Sequence, residues 1–356
     1  MAYTTIDKPS DYMRIQTWSG NNSADREITW TESDNMQPDW IWVKRRSDTA
    51  NHRLADSVRG ATKILRSDTT DAETTESDDT LSFDINGFSV GNNSGVNKTG
   101  DTYVGWGWKA GTSVSGNTGG SGTAKTYTGS VNTDAGFSII RYIGNSTAGH
   151  TIPHHLGTTP AWIICRTISA VKEWDVYHHK NTSSPETDYL VLNTTAATTD
   201  ASDKWNDTAP TSSVVTLGDS SQLNTNDGTC IMYAFAEKKG YSKFGSYTGN
   251  NDDDGAFVYT GFKPAFVMVK ITAGQTDNWI MQDNKINSFN GASSQRLRPN
   301  SSGAEFSSSN EIDLLSNGFK THGADGEING SGFSYIYMAF AENPFVNSNG
   351  VPTNAR

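Results

Sequence analysis

The sequence predicts an all-β chain of three tandem antiparallel β-sandwich modules of jelly-roll type. Two observations predict it: one apolar strand behind a proline is written three times, and the composition favours turns over helices. The strand reads Pro38-Asp39-Trp40-Ile41-Trp42-Val43-Lys44, then Pro160-Ala161-Trp162-Ile163-Ile164-Cys165-Arg166, then Pro264-Ala265-Phe266-Val267-Met268-Val269-Lys270. Side chains alternate faces along a strand, and both faces are apolar in every copy. Each copy therefore predicts a strand in the middle of its sheet with cover on both sides. Proline gives a ladder no donor and suits the first strand residue; the Lys or Arg marks the exit. Apolar residues are 34% of the 356, with 34 Gly, which suits short strands joined by many turns.

Taken in order, residues 1–14 are polar and unpatterned and predict an N-terminal arm. Modules are expected over 15–110, 126–238 and 239–345, a Gly/Ser/Thr linker over 111–125 and a C-terminal tail over 346–356. Each module opens on an aromatic strand end followed by Gly-Asn: Trp18-Ser19-Gly20-Asn21, Tyr142-Ile143-Gly144-Asn145 and Tyr247-Thr248-Gly249-Asn250. Gly and Asn tolerate positive φ, so a turn is expected there. After the proline strand come Arg53-Leu54-Ala55-Asp56, Trp174-Asp175-Val176-Tyr177 and Trp279-Ile280-Met281-Gln282-Asp283. Asn86-Gly87 and Asn317-Gly318 lie between apolar positions and predict tight turns. The closing strands are Tyr103–Trp108, Cys230–Phe235 and Tyr335–Phe340. Gly111–Gly122 has the composition of a flexible linker and is expected to be the main hinge. Only Lys238-Lys239-Gly240 separates the second and third modules, which predicts a rigid pair.

A net charge of −11 speaks against a nucleic-acid partner; Lys44-Arg45-Arg46 is the one basic cluster. No apolar run reaches membrane-spanning length, and Met1-Ala2-Tyr3-Thr4-Thr5 lacks a signal layout. The expectation is a soluble protein made without a secretion signal. Cys165 and Cys230 fall in buried strands of the second module and read as reduced core thiols; their separation is left open.

Several stretches carry a resemblance. Asp56-Ser57-Val58-Arg59-Gly60-Ala61, Gly240 to Asn250 and Tyr335 to Phe345 resemble repeated β-sandwich modules of bacteriophage virion proteins, especially tail and tail-fibre proteins of marine phages. The resemblance covers almost the whole chain. It implies concanavalin-type, lectin-like sandwiches with a structural or host-recognising role, no catalytic residues, and a place on the virion.

Catalytic motifs are missing from the sequence: there is no Gly-x-Ser-x-Gly elbow, phosphate loop or His-Glu-x-x-His helix. Ser23-Ala24-Asp25-Arg26-Glu27-Ile28-Thr29-Trp30 resembles a sialidase Asp-box, but Glu27 replaces its glycine and the copy is solitary. His154-His155 and His178-His179 are adjacent pairs, which on a strand point to opposite faces and cannot chelate. Asn250-Asn251-Asp252-Asp253-Asp254-Gly255 offers Asp252 and Asp254 as calcium ligands, although a solvated turn explains it as well. Trp30, Tyr177 and Trp205 are candidate loop aromatics for stacking on sugars, against the ordinary expectation of packing residues. No cofactor is expected.

The leading expectation is a non-enzymatic virion component, a tail fibre or receptor-binding protein contacting other virion proteins and a host receptor. A capsid decoration or tail scaffold is the alternative, and a polysaccharide depolymerase a third. Fibrous parts close their edges by cyclic symmetry, so a homotrimer is expected, with the N-terminal arm on the virion and the third module distal.

Overall fold

The computed structural model describes residues 3–287, 290, 294–308 and 312–354. The chain is nearly all-β, folded as several antiparallel sheets, none of them closed. Helix among the described residues is limited to Ser202–Trp205 and the 3-10 turns Pro9–Asp11 and Pro185–Thr187. No helix there is long and apolar enough to cross a membrane.

Each repeat supplies a large sheet and a three-stranded one. The first large sheet runs Met13–Ser19, Thr102–Trp108, Trp40–Arg45, Arg53–Asp56, Gly60–Leu65, Thr74–Thr75. The second runs Thr112–Asn117, Thr126–Asn132, Phe137–Ile143, Thr229–Phe235, Trp162–Thr167, Asp175–His178, Asp188–Val191, Thr199–Asp200. The third runs Ser242–Thr248, Ser334–Pro344, Phe262–Ala273, Ile280–Asp283. In all three the proline strand lies beside the closing strand in the same register, Trp40 opposite Trp108, Trp162 opposite Phe235 and Phe266 opposite Phe340. The predicted interior position of that strand is what the sheets contain.

The strand's two faces go to different places. Ile41 and Val43 join a local core with Ile28 and Phe88 of the first small sheet. Ile163 and Cys165 do the same in the second repeat, and Val267 and Val269 in the third. The opposite face carries Trp40, Trp42, Trp162, Ile164, Phe266 and Met268, and all of these enter one core shared by the three repeats. Rings meet across every boundary: Trp40 stacks on Tyr233 at 4.6 Å, Trp108 lies edge-on to Phe340 at 5.8 Å, and Trp162 tilts on Trp279 at 5.8 Å.

One set of polar contacts between repeats runs one way round a ring. The basic residue that ends each proline strand crosses to the next repeat: Lys44 Nζ donates to Ser302 O at 3.2 Å, Arg166 to Thr70 O at 2.8 Å, and Lys270 to Thr195 O at 3.0 Å. The first repeat thus reaches the third, the second reaches the first, and the third reaches the second. A ring N–H on the residue just before the next strand (Arg53–Asp56, Asp175–His178 or Ile280–Asp283) obeys the same order: His52 Nε2 with Arg298 O, Trp174 Nε1 with Arg66 O, Trp279 Nε1 with Val191 O. So do Trp106 Nε1 to Asp283 at 2.9 Å and the Tyr233 hydroxyl to Asp56 at 2.7 Å. The lysines and arginine read as strand exits to water are in fact fully buried, because carbonyls of the neighbouring repeat replace the water.

Four expectations change. Gly111–Gly122 is no linker: Thr112–Asn117 pairs with Thr126–Asn132 as an edge strand, and Gly119–Gly120 pairs with His150–Pro153. Its Ser/Thr/Gly composition fits a solvated edge as well as a coil. The N-terminal arm is not free either. The Tyr3 hydroxyl donates to Gly261 O, Thr4 Oγ1 to Lys239 O, and Ile6 enters the central core. The C-terminal tail joins it, with Ser348 N donating to Asp7 and Asn354 Nδ2 to Ser316 O. Both arms therefore lie on the third repeat, and all three repeats, rather than two, are mutually packed.

Candidate functional site

The residues picked from the sequence as sugar platforms are core residues. Trp30 is 3% exposed, its N–H donating to Met36 O; Tyr177 is also 3% exposed, edge-on to the fully buried Trp205. None presents a ring face to solvent, because the small sheets and their loops close over them. Asp252 and Asp254 are exposed, but Asp252 Oδ1 accepts the Asp254 N–H and the Asp254 carboxylate pairs with Lys320. Among the described residues, no three His, Cys, Asp or Glu side chains converge where they could hold a metal ion. His178 and His179 do not point apart, since the strand ends at His178, and their rings lie 5.3 Å apart. His154 is 0% exposed and accepts the Leu156 N–H, away from that pair. Burial drives its pKa down to about 4, so it is neutral. Cys165 and Cys230 are buried free thiols, hydrogen-bonded to Tyr142 and Thr167 respectively.

Two clefts remain. The larger, about 760 Å³, is walled by Asn284, Asn287, Asn317, Asn343 and Asn354 with Lys263 and Glu342. Most of this chemistry is already engaged: Lys263 pairs with Glu342 at 3.0 Å, Asn284 Nδ2 donates to Glu342 at 2.8 Å, and Asn287 brackets the backbone of Gln295. The smaller, about 540 Å³, is formed by Tyr3, Glu237, Lys239, Ser242, Lys243 and Tyr259 with its following turn.

Beside the smaller cleft lies the most exposed aromatic surface among the described residues. Phe257 and Tyr259 are 50% and 54% exposed and project from the same face of the edge strand Phe257–Tyr259, while Val258 between them is buried. The sister strands of the other repeats align through their buried centres, Ile28, Ile152 and Val258. At the outward positions they carry Glu27 and Thr29, and Thr151 and Pro153. The frame therefore tolerates polar residues where the third repeat alone displays rings. The Tyr259 hydroxyl lies 3.2 Å from that of Tyr3, and the Lys239 ammonium sits 4.5 Å above the Tyr3 ring. These four residues make a continuous row.

Sequence reasoning missed this row because Phe257-Val258-Tyr259 reads like any strand buried on both faces. Comparing the three repeats position by position carries the signal. No curated protein and no solved structure matches the chain. A family model described as "domain of unknown function (DUF7483)" matches residues 8–344, through all three repeats, and the chain belongs to that family.

Proposed function

We propose that the chain is a structural and adhesive component of a bacteriophage particle, a tail-fibre or receptor-binding protein of three fused β-sandwiches. The observation that carries this reading is the ring of contacts around one aromatic core, which makes the three repeats a single stiff body. Such a body suits transmitting attachment rather than opening and closing. The row at Phe257 and Tyr259 gives it a surface with which to attach. Partners on this reading are other virion proteins and a host surface receptor. A homotrimer of whole chains, closed by cyclic symmetry, belongs to this reading. Locating the protein on purified particles by cryo-EM, with labelled protein incubated with host cells, tests the reading. Fibre-tip density and cell adhesion are expected; absence from the particle would sink it.

A capsid-decoration or tail-scaffold role has one observation in its favour. The edge strand Thr112–Asn117 is six residues long, uncharged, free of proline and largely exposed, so it could accept a strand from another virion protein. Density on the capsid or inner tail, with that edge covered, is the outcome this second role requires.

A further inference from the structure

We propose that Phe257, Tyr259, Tyr3 and Lys239 form a binding site for an anionic saccharide of the uronic-acid class. The inference rests on the attachment reading and names the ligand.

Three observations combine. First, two rings stand out from one strand face with positions i and i+2, roughly 7 Å apart along the strand, the scale of successive pyranose rings. A pyranose has an apolar C–H face, and burying it on an exposed ring removes two apolar surfaces from water. The sister repeats show that the frame does not require rings there. Second, the hydroxyls beside them have a fixed polarity. Tyr3 has one proton, donated to Gly261 O at 2.7 Å, so the 3.2 Å contact with Tyr259 is donated by Tyr259. The Tyr259 oxygen is left as an acceptor for a sugar hydroxyl. Third, the row ends in a positive charge in an acidic chain of net charge −11. Lys243 in the same cleft is neutralised by Glu237 at 3.4 Å. Lys239 is exposed, and its ammonium lies over the Tyr3 ring without forming an ion pair to a carboxylate among the described residues. An ammonium held by a ring face and unpaired with an acid is placed to receive a carboxylate. A neutral sugar would leave it unused.

The test is calorimetric titration of the full chain with hexagalacturonate and with its methyl ester, in which every carboxylate is neutralised. Saturable binding of the acid is expected, weakened about 10-fold by esterification and reduced by 0.5 M salt (roughly a 4 Å Debye length). Lys239→Gln should weaken acid binding to the ester's level and leave the ester unchanged. Tyr259→Ala and, independently, Phe257→Ala should weaken both by about 10-fold or more, with the melting temperature held, since both side chains are exposed. No saturable heat with the acid, or three variants that bind like the parent, overturns the site. Adhesion to host cells separates the two proposals. If the parent and all variants adhere equally and hexagalacturonate does not compete, the site falls and attachment stands. If the parent is absent from particles and does not adhere while uronate binding is lost in the variants, attachment falls and the site stands.

Discussion

Gly20, Gly144 and Gly249 lie where the sequence expects turns, yet none has a positive φ; that belongs to Asn22, Ser146 and Asn251, two residues later. What the glycines provide is room. A Cβ on Gly20 would stand 2.0 Å from Lys98 O, on Gly144 2.3 Å from Thr225 O, and on Gly249 2.4 Å from Gly330 O. The residue before each of those carbonyls is a fully buried asparagine, Asn97, Asn224 or Asn329, whose side-chain oxygen accepts the N–H after the glycine. Gly144→Ala should therefore cost roughly 1–3 kcal/mol in urea unfolding, as overpacking does; a neutral result would show that the loop can yield. His52 makes a second residue-scale prediction. Trp42 can only donate, so its 2.8 Å bond fixes the His52 proton on Nε2, facing Arg298 O. Burial first, then the Lys44 charge, holds the His52 pKa well below the usual histidine value. A depressed pKa means the unfolded state binds the proton first, so His52 contributes stability above about pH 6.5 that is lost as pH falls through the folded-state pKa. Asp68 and Asp79, raised to about 6, and Asp175, raised to about 7, have the opposite sign and lose stability as pH rises. The gap in unfolding free energy between the parent and His52→Gln isolates the histidine. It should shrink from pH 7.5 to pH 5, and a constant gap would contradict the assignment.

At the scale of elements, the proline strand was legible because its alternation leaves no other placement: two apolar faces require two covers. Trp162 is 0% exposed and touches Phe244 and Trp279 of the third repeat as well as His178 of its own. Trp162→Ala should cost roughly 3–5 kcal/mol, and a loss under about 1 kcal/mol would mean the strand is not central. The Gly111–Gly122 segment was misread because composition reports flexibility of the isolated chain, whereas Thr112–Asn117 borrows order from its ladder with Thr126–Asn132. Limited digestion with a broad-specificity protease should spare it; early cleavage between residues 112 and 117 would restore the hinge. The sugar-platform residues failed for a related reason. Trp30, Tyr177 and Trp205 sit in polar stretches of sequence, but large rings there turn inward to fill the space between sheets.

At the scale of the molecule, a shared core predicts shared unfolding. Residues 126–238 expressed alone would expose Trp162, Trp174, Tyr233 and Phe235, all buried in the common core. That fragment should lack a cooperative transition and bind hydrophobic dye, while the whole chain melts in one calorimetric step; a folded monomeric fragment would refute a single shared core. The sequence by itself determined that the chain is β, that it repeats three times, and which strands lie inside their sheets. Those properties follow from local periodicity and proline placement, which need no knowledge of distant partners. Only the tertiary structure decided what covers the second face, where the basic strand ends go, and which aromatics stay outside. Each of these depends on contacts between residues far apart in the chain, such as Trp106 with Asp283 and Lys44 with Ser302. An apolar face is the same string of letters whether a small sheet, a sister repeat or a ligand covers it, because the hydrophobic effect is non-directional.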